Sequence, residues 1–330
     1  MPLSQIVSDS IQDGAVAPVD LSSVAQYTGF KNRLINGAMA ISQRGTTFSG
    51  VGLSAQTYTL DRWAVICTGA GIGISQVAGI SGYQYALQMT GAASNTQAYL
   101  SQRIESSNIY DLAGSAVTLS AVIQASTAQS VIWAAYYPTA KDNYTSFTSI
   151  ATGTFSVTTS AQSFSTQISL PSGAQNGLWI LFYPQNAGAF TSGTLTITGV
   201  QLEKGVTATS FDYRPYGTEL SLCQRYFEMS YDIGVTPGTA PNTAGAISTL
   251  PTAYGQYFPI TFKVTKRVAP TTVNYYSPFN GVANNFSINQ SSNGALSGTV
   301  STGMSGMVPY SAPSSGNVVC YLHYTASSEL

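Results

Sequence analysis

The stretch that decides the fold is GVQLEKGVTATSFDYRPYGTELSLCQRYFE, residues 199–228. It continues the segment TLTIT, residues 194–198, in which apolar and polar residues alternate as in a half-buried strand. At Gly199 the alternation slips by one residue and then resumes. Because a strand cannot change phase without an extra residue, the slip predicts a β-bulge at Gly199.

Beyond the bulge, Lys204 and Gly205 predict a turn, and Phe211 and Tyr213 predict one face of a second, aromatic strand. Pro215 then ends that strand, because proline cannot donate to a sheet ladder.

A short helix is predicted next. Thr218 is placed as its N-cap, and Glu219 favours the positive end of the helix dipole. Leu220, Cys223 and Phe227 follow at i, i+3 and i+7, which places them on one apolar stripe. We expect this stripe to fill the joint between two β-domains.

The residues before the stretch have the same β character from Phe30 onward. Strand-like alternations recur every 8 to 15 residues. Two of them place Val117, Leu119, Ala121 and Ile123, and then Val131, Trp133, Ala135 and Tyr137, on single faces. LWILFYP, residues 178–184, is apolar on both faces and predicts a central strand. About ten strands without long helical periodicity favour a jelly-roll β-sandwich.

The chain therefore divides into four predicted parts. Residues 1–29 form an N-terminal arm, 30–215 the jelly roll, 216–232 a linker helix and joint, and 233–330 a second, smaller β-sandwich of five or six strands. The fold class is all-β.

The arm lacks the pattern of a self-sufficient domain, because its apolar residues are irregularly spaced and no aromatic residue precedes Tyr27. We expect it either to dock on a partner or to act as a tether. The apolar residues assigned to docking are Ile6, Val7, Ile11, Val16, Val19 and Leu21.

Charge is scarce. Only 8% of the residues are charged, against roughly 25% in ordinary soluble proteins, and the net charge is −1. No basic stripe is available for phosphates, which disfavours nucleic-acid binding. No run of 18 apolar residues is present, and the first residues lack a signal-peptide pattern, so we expect neither membrane insertion nor a cleaved signal. Cys67, Cys223 and Cys320 have no ligand spacing and are interpreted as small buried residues.

The chain has few residues arranged for catalysis. The only histidine, His323, has no carboxylate near it in sequence other than Glu329 and is interpreted as structural or surface. Glycoside cleavage needs two converging carboxylates, whereas the acidic residues of the jelly roll fall singly on different elements. They are Asp61, Glu105, Asp111, Asp142, Glu203 and Asp212. We expect no enzyme activity, no cofactor and no metal site; a calcium site that uses Asp61, Asp111 or Asp142 with backbone carbonyls is the less favoured alternative.

Aromatic residues are the abundant residues that could recognise a ligand: the chain has 21 Tyr, 13 Phe and 3 Trp. Core packing is the simpler interpretation of Trp63, Trp133 and Trp179. The doublets Tyr136–Tyr137 and Tyr275–Tyr276 must place one ring on each face of a strand, so one ring of each pair points outward. These four tyrosines are candidates for a glycan site or a subunit interface.

Three segments resemble bacteriophage tail-fibre and virion-attached fibre proteins. NRLINGAMAISQRG (32–45) with LDRW (60–63) resembles the opening of a carbohydrate-binding-like jelly roll. The 199–228 stretch resembles its closing strand and exit. FKVTKRVAPTTVNYY (262–276) with CYLHYTASSEL (320–330) resembles the last domain.

This resemblance implies a non-enzymatic homotrimer in the virion, assembled in the host cytoplasm, that adheres to a host-surface glycan. The sequence of residues 9–16, DSIQDGAV, resembles the ends by which phage fibres attach to the virion. This resemblance implies docking on tail or capsid proteins. Low charge also suits close association of subunits. Two alternatives remain at this point: a capsid-attached head fibre or cement protein, and a polysaccharide-degrading tailspike.

Overall fold

The computed structural model describes residues 30–250, 255–311 and 318–330, so the docking residues assigned to the 1–29 arm lie outside it. Within the described residues, twelve strands precede the single α-helix α1 (Tyr216–Gln224). These strands are β1 (Thr47–Val51), β2 (Thr57–Tyr58), β3 (Ala64–Thr68), β4 (Ile72–Ala78), β5 (Tyr85–Thr90), β6 (Gln97–Glu105), β7 (Ala116–Ala125), β8 (Gln129–Ala140), β9 (Asn143–Val157), β10 (Gln162–Ser169), β11 (Gly177–Tyr183) and β12 (Thr194–Lys204). Four short 3₁₀ turns lie between them, at Ser106–Asn108, Tyr110–Leu112, Ser172–Asn176 and Gln185–Ala187.

These strands form two antiparallel sheets that pack face to face. The first sheet has the order β1-β4-β5-β12-β7-β10, and the second has the order β2-β3-β6-β11-β8-β9. Both alternations singled out in the sequence face the core between the sheets, in β7 and in β8. The predicted all-β, jelly-roll-like sandwich is confirmed, and LWILFYP forms β11 at the centre of the second sheet.

In the described residues from Phe227 onward, the smaller unit contains ten short strands, more than the five or six expected. They are β13 (Phe227–Met229), β14 (Ile247–Thr249), β15 (Gln256–Tyr257), β16 (Ile260–Thr261), β17 (Thr272–Tyr276), β18 (Asn285–Ile288), β19 (Ser292–Ala295), β20 (Gly298–Thr302), β21 (Gly306–Ser311) and β22 (Cys320–Ser327). β22 is the central strand, because it pairs with β13, β14, β17 and β18. β15, β16, β20 and β21 form the opposing sheet, and a second apolar core lies between the two.

The bulge predicted at Gly199 is confirmed. The register between β12 and β7 shifts between Thr198 and Gln201, and Gly199 adopts a φ of +58°. A Cβ atom at this position would lie 2.5 Å from the ring of Tyr83. The bulge therefore lets an aromatic ring lie directly against the sheet backbone.

Two local predictions for the stretch are wrong. Residues 211–215 form no strand, because Phe211 and Tyr213 pack their rings on Tyr83, at centroid distances of 5.3 and 5.7 Å. The helix begins three residues earlier than expected, with Pro215 rather than Thr218 at the N-cap. The carbonyl of Pro215 accepts the backbone N–H groups of Thr218 and Glu219.

The predicted apolar stripe is also interrupted. α1 ends at Gln224, and Phe227 belongs to β13, which pairs with β22. The chain leaves the helix because the backbone N–H of Ser328 donates to the carbonyl of Tyr226 at 2.7 Å, which starts sheet pairing at that point. The division at residues 215 and 232 stays a prediction, and strand β13 lies inside the predicted linker.

Replacing Gly199 by alanine should destabilise the protein more than the same change at Gly50. Both glycines have nearly the same φ, +58° and +61°, so each alanine costs about 1–2 kcal/mol of backbone strain. A Cβ at Gly50 meets nothing within 4 Å, whereas one at Gly199 meets Tyr83, which adds about 1–3 kcal/mol. Urea unfolding of the two variants measures the difference, and equal losses would show that the Tyr83 contact is unimportant.

Candidate functional site

The outer side of the second sheet is covered by aromatic rings rather than by polar groups. Trp179 on β11 points away from the core, and its ring packs against Phe147 at 5.1 Å and against Tyr136 at 6.1 Å between centroids. Tyr99 packs against Trp179 and Tyr183, at 6.2 and 5.0 Å. We call this cluster the aromatic face; its members are Tyr99, Tyr136, Tyr144, Phe147, Trp179 and Tyr183.

The aromatic face has a buried centre and an exposed rim. Trp179 is only 4% exposed, whereas Phe147 is 46% exposed, and Tyr136 and Tyr183 are half-buried. The Arg103 guanidinium lies 4.6 Å from the centroid of the Trp179 ring and supports it from one side. Burial raises the pKa of Tyr183, so its phenol stays protonated at neutral pH. The rim therefore offers flat apolar surfaces together with uncharged hydroxyl groups.

The four tyrosines nominated from the sequence separate in the structure. Tyr136 belongs to the aromatic face, and Tyr137 packs on the opposite side of β8 against the core. Tyr275 is buried in the core of the second sandwich, where its hydroxyl lies 2.7 Å from that of Thr299. Tyr276 packs against Tyr231 on the other face. The split of each doublet over two faces is confirmed, but burial removes Tyr275 from any exposed surface.

Core packing holds for Trp63 and Trp133 but not for Trp179, which lies on the opposite side of its sheet. The signal for this was present in β11, because Leu178, Ile180 and Phe182 alternate with Trp179. An apolar residue on the outer face of a central strand indicates that other side chains cover that face as well.

A second feature is a buried charged joint between the two sandwiches. Glu329 follows β22, and its carboxylate pairs with Arg44 of the first sandwich at 2.9 Å and with Arg62. The side chains of Arg62 and Glu329 are 1% and 6% exposed. We call this group, with Gln43, Asp61, Tyr226 and Phe227, the arginine joint.

Each of the two guanidinium groups stacks on an aromatic ring. Arg44 lies 3.7 Å from the centroid of Phe227, and Arg62 lies 3.6 Å from that of Tyr226. Stacking and ion pairing together orient both arginines, which a point charge such as lysine could not reproduce. Tyr226 and Phe227 come from the 199–228 stretch, so that stretch contributes to the joint directly.

Asp61 connects the joint to the first sandwich. Its carboxylate accepts hydrogen bonds from the backbone and side-chain nitrogens of Gln43, both at 2.6 Å, and the Gln43 amide also donates to the carbonyl of Phe227 at 2.9 Å. Burial raises the pKa of Asp61, and the nearby Arg44 opposes that shift. Burial likewise lowers the pKa of Arg44, which Asp61 counteracts. The negative charge of Asp61 and the positive charge of Arg44 therefore stabilise each other inside the protein.

The helix residues predicted to form the joint contribute to it differently. Cys223 is buried among Ile35, Ile41 and Tyr226, and Leu220 packs against the same group. Phe227 contributes instead by stacking on Arg44. All three cysteines are buried, as interpreted from the sequence.

Each carboxylate considered for glycoside cleavage has a local partner. These pairs are Asp61 with Gln43, Glu105 with Arg225, Asp111 with Arg33, Asp142 with Ser106, Glu203 with Thr209, and Asp212 with the backbone nitrogens of Lys31 and Asn32. The hydrogen bonds of these carboxylates stabilise turns, strand ends and the arginine joint.

His323 is buried in β22 and stacks on Tyr231 at 3.7 Å. Its ring nitrogens contact the Ser230 hydroxyl at 2.8 Å and the carbonyl of Asn242 at 3.0 Å. Burial lowers its pKa, although the contact with Asn242 and the charge of Asp232 act in the opposite direction. It is a structural histidine.

Within residues 30–250, 255–311 and 318–330, no three metal-ligating side chains cluster. In the same residues, no helix has the length and apolar character needed to cross a membrane.

No protein-family model and no curated protein matches this chain. Among solved structures, a CBM4 carbohydrate-binding module is similar at 18% identity and a TM-score of 0.36, over 52% of this chain and 98% of the module. The CBM22-1 xylan-binding domain of Paenibacillus barcinonensis Xyn10C is similar at 14% identity and a TM-score of 0.34, over 55% of this chain and 99% of that domain. The enzymatically active domain of tailspike protein 4 from bacteriophage CBA120 is similar at 14% identity and a TM-score of 0.36, over 53% of this chain and 21% of that chain. Each likeness extends over about half of the present chain.

Replacing Glu329 by glutamine should cost about 3 kcal/mol of unfolding free energy, because it leaves the buried Arg62 guanidinium without its paired carboxylate and leaves Arg44 with only Asp61, at 3.8 Å. Asp111→Asn is the matched control: it removes an ion pair with Arg33 in which the aspartate is 53% exposed, and should cost less than about 1 kcal/mol. Urea unfolding measures both. Similar small losses in the two variants would contradict a stabilising role for the arginine joint.

Proposed function

We propose that this chain is a non-enzymatic structural protein of a phage virion, a trimeric tail fibre that attaches through residues 1–29 and adheres to a host-surface glycan. The observation that carries the adhesion proposal is the exposed rim of the aromatic face, where Tyr136, Phe147 and Tyr183 lie side by side. A contiguous apolar patch on a folded surface, unlike a single exposed ring, marks an interaction site.

The chemistry of the rim suits a sugar. One side of a sugar ring presents C–H groups that pack on flat aromatic surfaces, and its hydroxyls pair with phenols such as those of Tyr136 and Tyr183. The rim rings also surround a centre that is already rigid, since Trp179 is fixed by four neighbouring rings and by Arg103. A preorganised surface loses less side-chain entropy on binding.

The absence of catalysis is part of the proposal. Glycosidases need one carboxylate as an acid and a second as a nucleophile or base, placed on either side of the scissile bond. The acidic residues of the first sandwich instead hold backbone and arginine partners, as Asp212 does with Lys31 and Asn32. This supports adhesion over cleavage.

The fibre identity is supported by where the resembling segments meet. Gln43 and Arg44 come from the first segment, Tyr226 and Phe227 from the second, and Glu329 from the third. Residues that resemble fibre proteins thus build the arginine joint together. A joint of this kind suits a fibre, which has to hold successive domains in a fixed arrangement.

The adhesion proposal predicts that Tyr136→Ala combined with Phe147→Ala weakens binding to host-surface polysaccharide by about tenfold or more, because two stacking surfaces are lost. Tyr110→Ala removes a ring that is 68% exposed but lies outside the aromatic face, and should bind normally. Pull-down of the purified proteins on isolated host-surface polysaccharide measures this, with thermal melting to confirm folding. Equal binding by both variants would overturn the proposal.

The attachment proposal predicts that a chain lacking residues 1–29 folds and retains polysaccharide binding but no longer enters virions. Complementation of a phage deletion mutant, followed by immunoblotting of purified particles, measures incorporation. Normal incorporation of the truncated chain would contradict docking through the arm, and cryo-electron microscopy of complemented particles would distinguish a tail location from a capsid location.

A further inference from the structure

A groove lies on the outer side of the first sheet, opposite the aromatic face across the sandwich. Its floor consists of Ser120 on β7 and of Ser163 and Ser165 on the edge strand β10. These serines alternate with core-facing residues such as Leu119 and Ala121, so their side chains point outward. The groove is open to solvent on one side and has a volume of about 280 Å³.

One wall of the groove is aromatic. The ring of Tyr83 lies against the backbone of Gly199, and Phe211 meets it edge to face, with centroids 5.3 Å apart and planes at 81°. Tyr213, which is 63% exposed, packs against both rings, with centroid distances of 5.7 and 4.9 Å. The bulge at Gly199 thus places an aromatic wall beside a floor of hydroxyl groups.

The hydroxyls on the floor are available to a ligand. Within the described residues, the side chains of Ser120, Ser163 and Ser165 form no hydrogen bond, and neither does the hydroxyl of Tyr83. No lining residue carries a charge; the others are Ala121, Val122, Phe164, Gly199, Ala208, Thr209, Ser210 and Phe211. A charged ligand would find no counter-charge in this groove.

We propose that this groove is a second binding site for a neutral saccharide, separate from the aromatic face. The C–H side of a sugar ring would pack on Tyr83 and Phe211, and its hydroxyls would pair with the serines of the floor. The cavity is slightly smaller than the range of roughly 300–1,000 Å³ that is usual for drug-sized ligands, which suits one or two sugar rings. A second copy of the chain is the competing occupant, and oligomeric state distinguishes it from a saccharide.

The proposal extends the proposed function but does not depend on the aromatic face. If both sites bind, each chain contacts glycan on two opposite sides, and attachment to one strand raises the effective concentration at the other site. A fibre with two such sites would hold a polysaccharide layer more firmly than either site alone.

The test uses full-length protein titrated calorimetrically with a panel of short neutral oligosaccharides built from glucose, galactose, mannose or N-acetylglucosamine. Ser163→Ala combined with Ser165→Ala removes the hydroxyls from the exposed edge strand, where folding should be unaffected. Ser169→Ala is the matched control, since this serine lies on the same strand, beyond the groove, and is also exposed. The Tyr136→Ala, Phe147→Ala variant isolates the groove from the aromatic face.

We expect at least one oligosaccharide to bind the aromatic-face variant, with affinity reduced about tenfold when the two groove serines are also replaced and unchanged by Ser169→Ala. Loss of all binding in the aromatic-face variant, with no effect of the serine changes, would overturn the groove site and leave the proposed function intact. A change in oligomeric state on replacing the serines, seen by light scattering without a change in affinity, would overturn it in favour of a subunit contact.

Discussion

The structure depends on one buried carboxylate, Glu329, which lies between Arg44 and Arg62 and connects the end of the second sandwich to the first. Removing charges from water is costly, and the attraction within a buried ion pair offsets that cost only with good geometry and additional interactions. Here those interactions are two guanidinium groups, two stacked rings and the Gln43–Asp61 hydrogen bonds. Strand β22, the centre of the second sheet system, leads directly to Glu329, so the position of one sandwich fixes the other.

This explains how a chain with so few charges uses them. Glu329 pairs with Arg44 and Arg62 across the contact between the sandwiches, and Lys266 forms a fully buried pair with Glu228 at 2.6 Å inside the second unit. The outer sheet surfaces are left to aromatic, serine and threonine side chains. The aromatic face and the serine groove lie on opposite sides of the same sandwich, where uncharged ligands meet little electrostatic competition. A fixed joint would hold both surfaces at a set orientation relative to the rest of a fibre.

Local sequence pattern predicted what depends on local geometry. Alternation predicted β7 and β8, a run that is apolar on both faces predicted β11, and the phase slip predicted the bulge at Gly199. The strand predicted at Phe211 is wrong because the Phe211 ring packs on Tyr83, a residue more than 120 positions away. The arginine joint could not be predicted from local sequence, because Arg44 and Glu329 are separated by 285 positions. Only the resemblance of three distant segments to fibre proteins indicated that they belong together, without showing how.

Native-state hydrogen exchange on the full chain tests the central claim, that the arginine joint makes the two sandwiches one cooperative unit. The amides of β11 in the first sandwich and of β22 in the second are the reporters, followed over low concentrations of denaturant. If the two sandwiches open together, both sets of amides exchange with the same free energy and the same dependence on denaturant. A separate, lower-energy opening of β22 would contradict the claim.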